Sequence, residues 1–195
     1  MEKNNGRCPV SLIQLLPLGN APDEMLSHLS GELAGEFSTR CEILRSEPDP
    51  PHTFNVRRQQ YCSTEILAYM TGRVSPGAGQ LLGVTTADLY IPILTFVFGE
   101  AQLEGPCAVV STHRLRQEFY GLPPDPALLS HRLLKEAVHE LGHTLGLVHC
   151  DDYRCAMASS HAVEAIDLKG ASLCAVCRAA ISSAQRRATS PLLKP

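Results

Sequence analysis

Five residues within one short stretch constrain this chain more than any other feature: His139, Glu140, His143, Gly146 and His149. Two histidines four apart on a helix project from the same face, one turn apart, and can share a metal ion. The flanking sequence supplies that helix. Asp125 reads as its N-cap, Pro126 takes the first helical position, and Leu129, Leu133, Ala137 and Leu141 recur every four residues for one buried face. Glu140 follows His139 directly and so points to the flank, where it can hydrogen-bond a water on the metal. His149 lies too far past His143 to continue that face. Gly146 can take the left-handed conformation that ends a helix, which turns the chain and returns His149 as a third ligand. Three imidazoles plus a water make the open tetrahedral site of a catalytic zinc. A bare pair of histidines at this spacing also occurs on ordinary surface helices. The glycine and the third histidine at their offsets tip the reading to metal binding. His28, His52, His113, His131 and His161 have no such spacing and read as surface or locally bonded residues, although His161 could enter a cleft.

The cysteines extend the pattern. Of eight, Cys150, Cys155, Cys174 and Cys177 crowd just after the histidines, while Cys8, Cys41, Cys62 and Cys107 scatter upstream without an assignable role. Two close pairs of thiolates fit a closed tetrahedral structural zinc site, and two disulfides are the alternative. A redox reading of Cys174-x-x-Cys177 would need a thioredoxin-like strand-to-helix context, which is missing. Lys3 and Arg7 before the apolar stretch from Pro9 to Leu18 loosely resemble a signal peptide. Gln14 interrupts that stretch and no clean cleavage site follows, so it reads as a first core strand, and a cytoplasmic location is the default expectation.

Upstream of the histidine helix the chain alternates between strand and helix patterns. Strands are expected over residues 10–18, 41–44, 81–86, 93–98 and 107–112. A helix starting after Asn20 carries Leu26, Leu29, Leu33 and Phe37 on one face, and a second spans Gln59 to Met70 with Cys62, Ile66 and Tyr69 on one side. Residues 46–52 read as an irregular loop and residues 175–187 as a last short helix. The alternation predicts an α/β fold with a mostly parallel sheet.

The whole chain has 195 residues, which suits one domain or one domain with a small appendage. With 44% hydrophobic and 19% charged residues it can bury a sizeable core. A net charge of -3 disfavours nucleic acid as a partner. No apolar run approaches the roughly 18 residues that span a bilayer. The absence of Trp, with aromatics at 5%, does not suggest a carbohydrate-stacking surface. A monomer is expected.

The run His139-Glu140-x-x-His143-x-x-Gly146-x-x-His149 is the metzincin signature, and Met157 is a candidate for the methionine of the turn beneath the metal. Together with Cys150, Cys155, Cys174 and Cys177 it resembles the archaemetzincins. Gly83-Val84-Thr85, Asp88-Leu89-Tyr90 with Pro92, and Phe96 to Ala101 are also similar to that family. The resemblance implies a metzincin-like fold: an N-terminal subdomain over residues 1–146 ending in the metal helix, and a C-terminal subdomain over 147–195 with the methionine turn, the cysteine site and a last helix. It implies two zinc ions, one catalytic and one structural, and an edge strand near residues 95–101 that pairs with an extended peptide substrate. Glu140 would act as general base in hydrolysis of a peptide bond. The rival expectation is a zinc-stabilised binding or regulatory protein whose peptidase site is vestigial or blocked. The intact Glu140 favours the enzyme.

Overall fold

The computed structural model describes residues 12–74 and 79–181. A five-stranded sheet organises the molecule. Strands β1 (Ile13–Pro17), β2 (Cys41–Ile43), β5 (Gln80–Thr85), β7 (Gly99–Ala101) and β8 (Cys107–Ser111) lie in the order β2-β1-β5-β8-β7. The pairs β1–β2, β1–β5 and β5–β8 are parallel, and only β7 runs antiparallel, along β8. This is the expected α/β fold with a mostly parallel sheet. A small second sheet joins β3 (Phe54–Asn55), β4 (Gln60–Cys62) and β6 (Leu89–Tyr90).

Every residue of β1 and β8 is buried, as in parallel strands covered on both faces. The pleat divides the side chains of β1, β5 and β8 between two cores. Ile13, Leu15, Leu82, Val84, Ala108 and Val110 face helices α1 (Asp23–Glu36) and α3 (Pro126–Thr144), while Leu16, Leu81, Cys107 and Val109 face helix α2 (Ser63–Thr71). Leu26, Leu29, Leu33 and Phe37 pack from α1 as their spacing predicts. Short helix α4 (Val163–Leu168) docks on α3: Arg132 makes two bonds to the Asp167 carboxylate, and Lys135 Nζ donates to the carbonyls of Ile166 and Asp167. A final helix begins at residue 175, and its expected extension to 187 lies partly outside the described residues, as does Val10 of the first strand.

Two expected elements differ. The helix expected over 59–70 begins only at Ser63, because Gln60–Cys62 forms β4 between β3 and β6, after Gln59 turns at a φ of 55°. Tyr69, half-buried on α2, packs against the same core as Ile66, as its spacing predicts, and donates its hydroxyl to Glu47. Residues 93–98 are not a strand. Pro92 lacks the N–H a ladder needs. The carbonyls of Leu94 and Thr95 are taken by the Arg58 guanidinium and the Gln60 amide, leaving Val97 a single bridge to Leu89. The strand begins at Gly99 instead.

Candidate metal centre and cleft

Helix α3 is set by its caps. The Asp125 carboxylate accepts from the Leu128 amide at 2.9 Å, and Pro126 opens the first turn. At the other end Leu147 N donates to Gly142 O and Gly146 N to His143 O, the paired bonds of a Schellman motif, with Gly146 at a φ of 85°. A Cβ at Gly146 would also lie 3.1 Å from Glu104 Cγ. The turn brings His149 back over the helix. The ring centroids of His139, His143 and His149 lie 4.6, 5.2 and 5.3 Å apart, and the potential ligand atoms of the three fall within 4.8 Å of one another.

Hydrogen bonds fix which nitrogens face inward. His139 Nδ1 lies 2.9 Å from Ala156 O and His143 Nδ1 lies 2.8 Å from Leu147 O. A carbonyl only accepts, so both Nδ1 atoms carry the proton and both Nε2 atoms carry lone pairs. Those two Nε2 atoms sit 3.1 Å apart. Converging lone pairs repel unless a cation lies between them. A tetrahedral zinc with bonds of about 2.0–2.1 Å sets neighbouring nitrogens about 3.3 Å apart. Burial pushes the imidazolium pKa of His139 down to about 3, with the Lys169 ammonium adding to the effect, and burial also lowers His143 and His149. Neutral imidazole is the form that ligates metal.

Met157 is fully buried beneath the helix, and a Cβ at Gly142 would lie 2.3 Å from its sulfur. Its carbonyl accepts from Cys150 N at 3.0 Å. Glu140 is buried against strand β7, where a Cβ at Gly99 would lie 2.7 Å from both its Cγ and Oε1. Burial pushes the Glu140 carboxyl well up, the Glu136 carboxylate adds to this, and the Lys169 ammonium pulls it back.

The four cysteines also converge. Their sulfurs lie within 4.8 Å of one another, with Cys150–Cys174 at 3.9 Å and Cys155–Cys177 at 3.8 Å. Zinc–sulfur bonds of about 2.3 Å in a tetrahedron set sulfurs about 3.8 Å apart, whereas a disulfide needs about 2.05 Å. The Cys177 amide, followed by neighbouring thiols, lowers Cys174 to about 7, while burial pushes Cys177 up. Cys41, Cys62 and Cys107 are free and apart from this cluster, and Cys8 lies outside the described residues.

The histidine trio opens into a cleft of about 670 Å³. The cleft is lined by residues 94–101, by Glu136, His139, Glu140 and His143 of α3, and by Ser159, Ser160 and His161. His161 thus reaches the cleft, whereas His131 is exposed on α3, and Tyr153 is 69% exposed and does not line the cleft. Two buried charges were not anticipated. Glu136 lines the cleft one turn before Glu140, and Lys169 Nζ lies 2.7 Å from Glu136 Oε1. Helical spacing from Glu140 pointed to Glu136. Nothing local marks Lys169, whose partner is far away in sequence.

The sequence profile of peptidase family M54 matches residues 52–183. The chain belongs to that family. It is 44% identical over 166 residues to the archaemetzincin of Methanocaldococcus jannaschii, covering 85% of this chain and 89% of the relative. It superposes on the archaemetzincin of Methanopyrus kandleri with a TM-score of 0.80 at 31% identity, over 92% of this chain and 98% of that one. It superposes on a zinc-dependent peptidase of Methanocorpusculum labreanum with a TM-score of 0.78 at 30% identity, over 87% and 99%. This M54 member is a zinc metallopeptidase that acts on peptides. Of the two functions expected, the enzyme is the one its family supports. Among the described residues no helix is long and apolar enough to cross a membrane.

Proposed function

We propose that His139, His143 and His149 hold the catalytic zinc and that Glu140 is the general base for peptide-bond hydrolysis. We further assign a second, structural zinc to Cys150, Cys155, Cys174 and Cys177. The observation that carries the reading is the pair of unprotonated Nε2 atoms facing each other at 3.1 Å. Zinc held there supplies Lewis acidity, acidifying a coordinated water and polarising the substrate carbonyl. Glu140 takes the proton of the attacking water at its carboxylate and returns it to the departing amine. Burial raises its basicity for the first of these transfers. Gly99 leaves the space its carboxylate occupies. The carbonyls of Ala156 and Leu147 hold two imidazoles in the ligating tautomer. Met157 supports the trio by packing.

The edge strand aligns the substrate. Ser111 N donates to Phe98 O and Gln102 N to Cys107 O, and Glu100 stands opposite Val109. In that antiparallel alternation Gly99 and Ala101 turn their backbone groups to the free edge, ready to pair with an extended peptide. The chain divides functionally at Gly146, residues 1–146 supplying the sheet and the metal helix, residues 147–195 the third histidine, the methionine and the cysteines.

Glu140→Gln tests the assignment. The variant should keep its zinc, since no ligand is removed, and should cleave a mixed peptide pool about 10²–10⁴-fold more slowly than the zinc-loaded parent. Cleavage at the parental rate would reject Glu140 as the base.

A further inference from the structure

Three carboxylates line the cleft, those of Glu100, Glu136 and Glu140, and among the described lining residues there is no lysine or arginine. Glu140 is the assigned base. Glu100 turns its carboxylate to the hydroxyls of Ser63 and Thr64 at the start of α2. Glu136 has no part in the mechanism above. Its position is nonetheless built: Lys169, with a side chain only 1% exposed and outside the cleft lining, approaches Oε1 at 2.7 Å and bonds Ala158 O at 3.3 Å. Lys169 therefore fastens Glu136 to the segment that continues into Ser159, Ser160 and His161 of the lining. Among these the Ser160 Oγ is buried and has no hydrogen-bond partner. Other residues of the lining have another character. Glu104 N donates to His143 O, which sets Leu103 beside the end of α3, and Leu103 and Val148 stand 59% and 67% exposed there.

We propose that the recess between Glu136 and Ser160 is a specificity subsite that takes the substrate side chain beside the scissile bond and selects lysine or arginine. The proposal rests on the peptidase reading and adds the substrate class to it. A carboxylate offers about four lone-pair sites, and the Lys169 ammonium occupies one side of Glu136 only. A hydroxyl without a partner and a carboxylate, both lining the one cleft, each gain from an entering N–H donor. An apolar side chain would offer neither of them a partner. The Lys169 ammonium at Glu136 Oε1 lies outside the cleft lining, and among the described lining residues no lysine or arginine stands. A charged donor makes the stronger hydrogen bond to the carboxylate, which favours lysine and arginine over asparagine or serine.

The test begins with the zinc-loaded parent and a mixed peptide pool, with cleavage sites read by mass spectrometry. Lysine and arginine should be enriched at least tenfold at one of the two positions flanking the cut. A flat or apolar profile at both would overturn the subsite. Next, calorimetry on zinc-loaded Glu140→Gln compares a cleaved lysine peptide with its norleucine counterpart. The lysine peptide should bind at least tenfold tighter, and adding Glu136→Gln or Ser160→Ala should shrink that ratio below threefold. A ratio that survives both additions would overturn the assignment of Glu136 and Ser160. Should the parent cleave nothing, the peptidase reading fails on its own. The recess is then decided by titrating lysine amide and norleucine amide into the zinc-loaded parent. A tenfold preference for lysine amide supports it, and equal affinity rejects it.

Discussion

Gly142 and Met157 fit as a pair: the helix backbone approaches the thioether so closely that a Cβ at position 142 would overlap the sulfur. This places Met157 under helix α3 by packing. Met157→Leu keeps the volume and should cost less than about 1.5 kcal/mol, whereas Met157→Ala should cost about 2–5 kcal/mol by denaturant unfolding of the zinc-loaded protein. A Leu variant that binds zinc no longer would show the sulfur to be a ligand. At this scale most of the convergence at the candidate site was legible in the sequence. His139 and His143 follow from helical spacing, His149 from the freedom of Gly146, and the cysteines from their clustering. Lys169 was not, because a lysine is buried only where a distant carboxylate receives it, and residue spacing does not reveal that Glu136 does so.

Strand β7 is short, and each of its features serves the cleft. Gly99→Ala would set a Cβ 2.7 Å from the Glu140 carboxylate and equally close to the immobile Val109 carbonyl. The expected result is a loss of peptide cleavage of at least tenfold with zinc content unchanged, measured side by side on one preparation. Unchanged cleavage would mean that Glu140 is not held against this strand. The parallel strands were legible because they are apolar throughout and separated by helix-length segments. The segment 93–98 misled because its apolar residues look like a strand, yet Pro92 and the side chains of Arg58 and Gln60 give its backbone other partners. Asp88 adds to that anchoring: it makes two bonds to Arg114, whose guanidinium lies over the Phe96 ring. Residues 59–62 misled for a related reason. Their short strand exists only because Phe54, Asn55 and Leu89, Tyr90 flank it, pairings that no local pattern shows.

Across the whole molecule the two proposed ligand sets share a backbone. Cys150 directly follows His149, Cys150 N bonds Met157 O, and Ala156, whose carbonyl holds His139, donates its amide to Ser172 O just before Cys174. Closed zinc sites contribute folding free energy directly. Cys174→Ser with Cys177→Ser should therefore release this segment and weaken zinc at the histidines without abolishing it, because α3 still holds His139 and His143. Glu36 opposes full release, since its carboxylate binds Leu173 N, Ser172 Oγ and Arg178. A chelator titration of zinc bound at the histidines should show lower affinity in the double variant than in the parent; equal affinity would make the cysteine cluster a remote staple. The central claim, that two separate ligand sets hold two ions, is tested most directly by counting zinc per chain, by elemental analysis, in protein purified without added metal. The parent should hold two and a His139→Ala, His143→Ala variant one. A parent with a single zinc, or a histidine variant that still holds two, would contradict it.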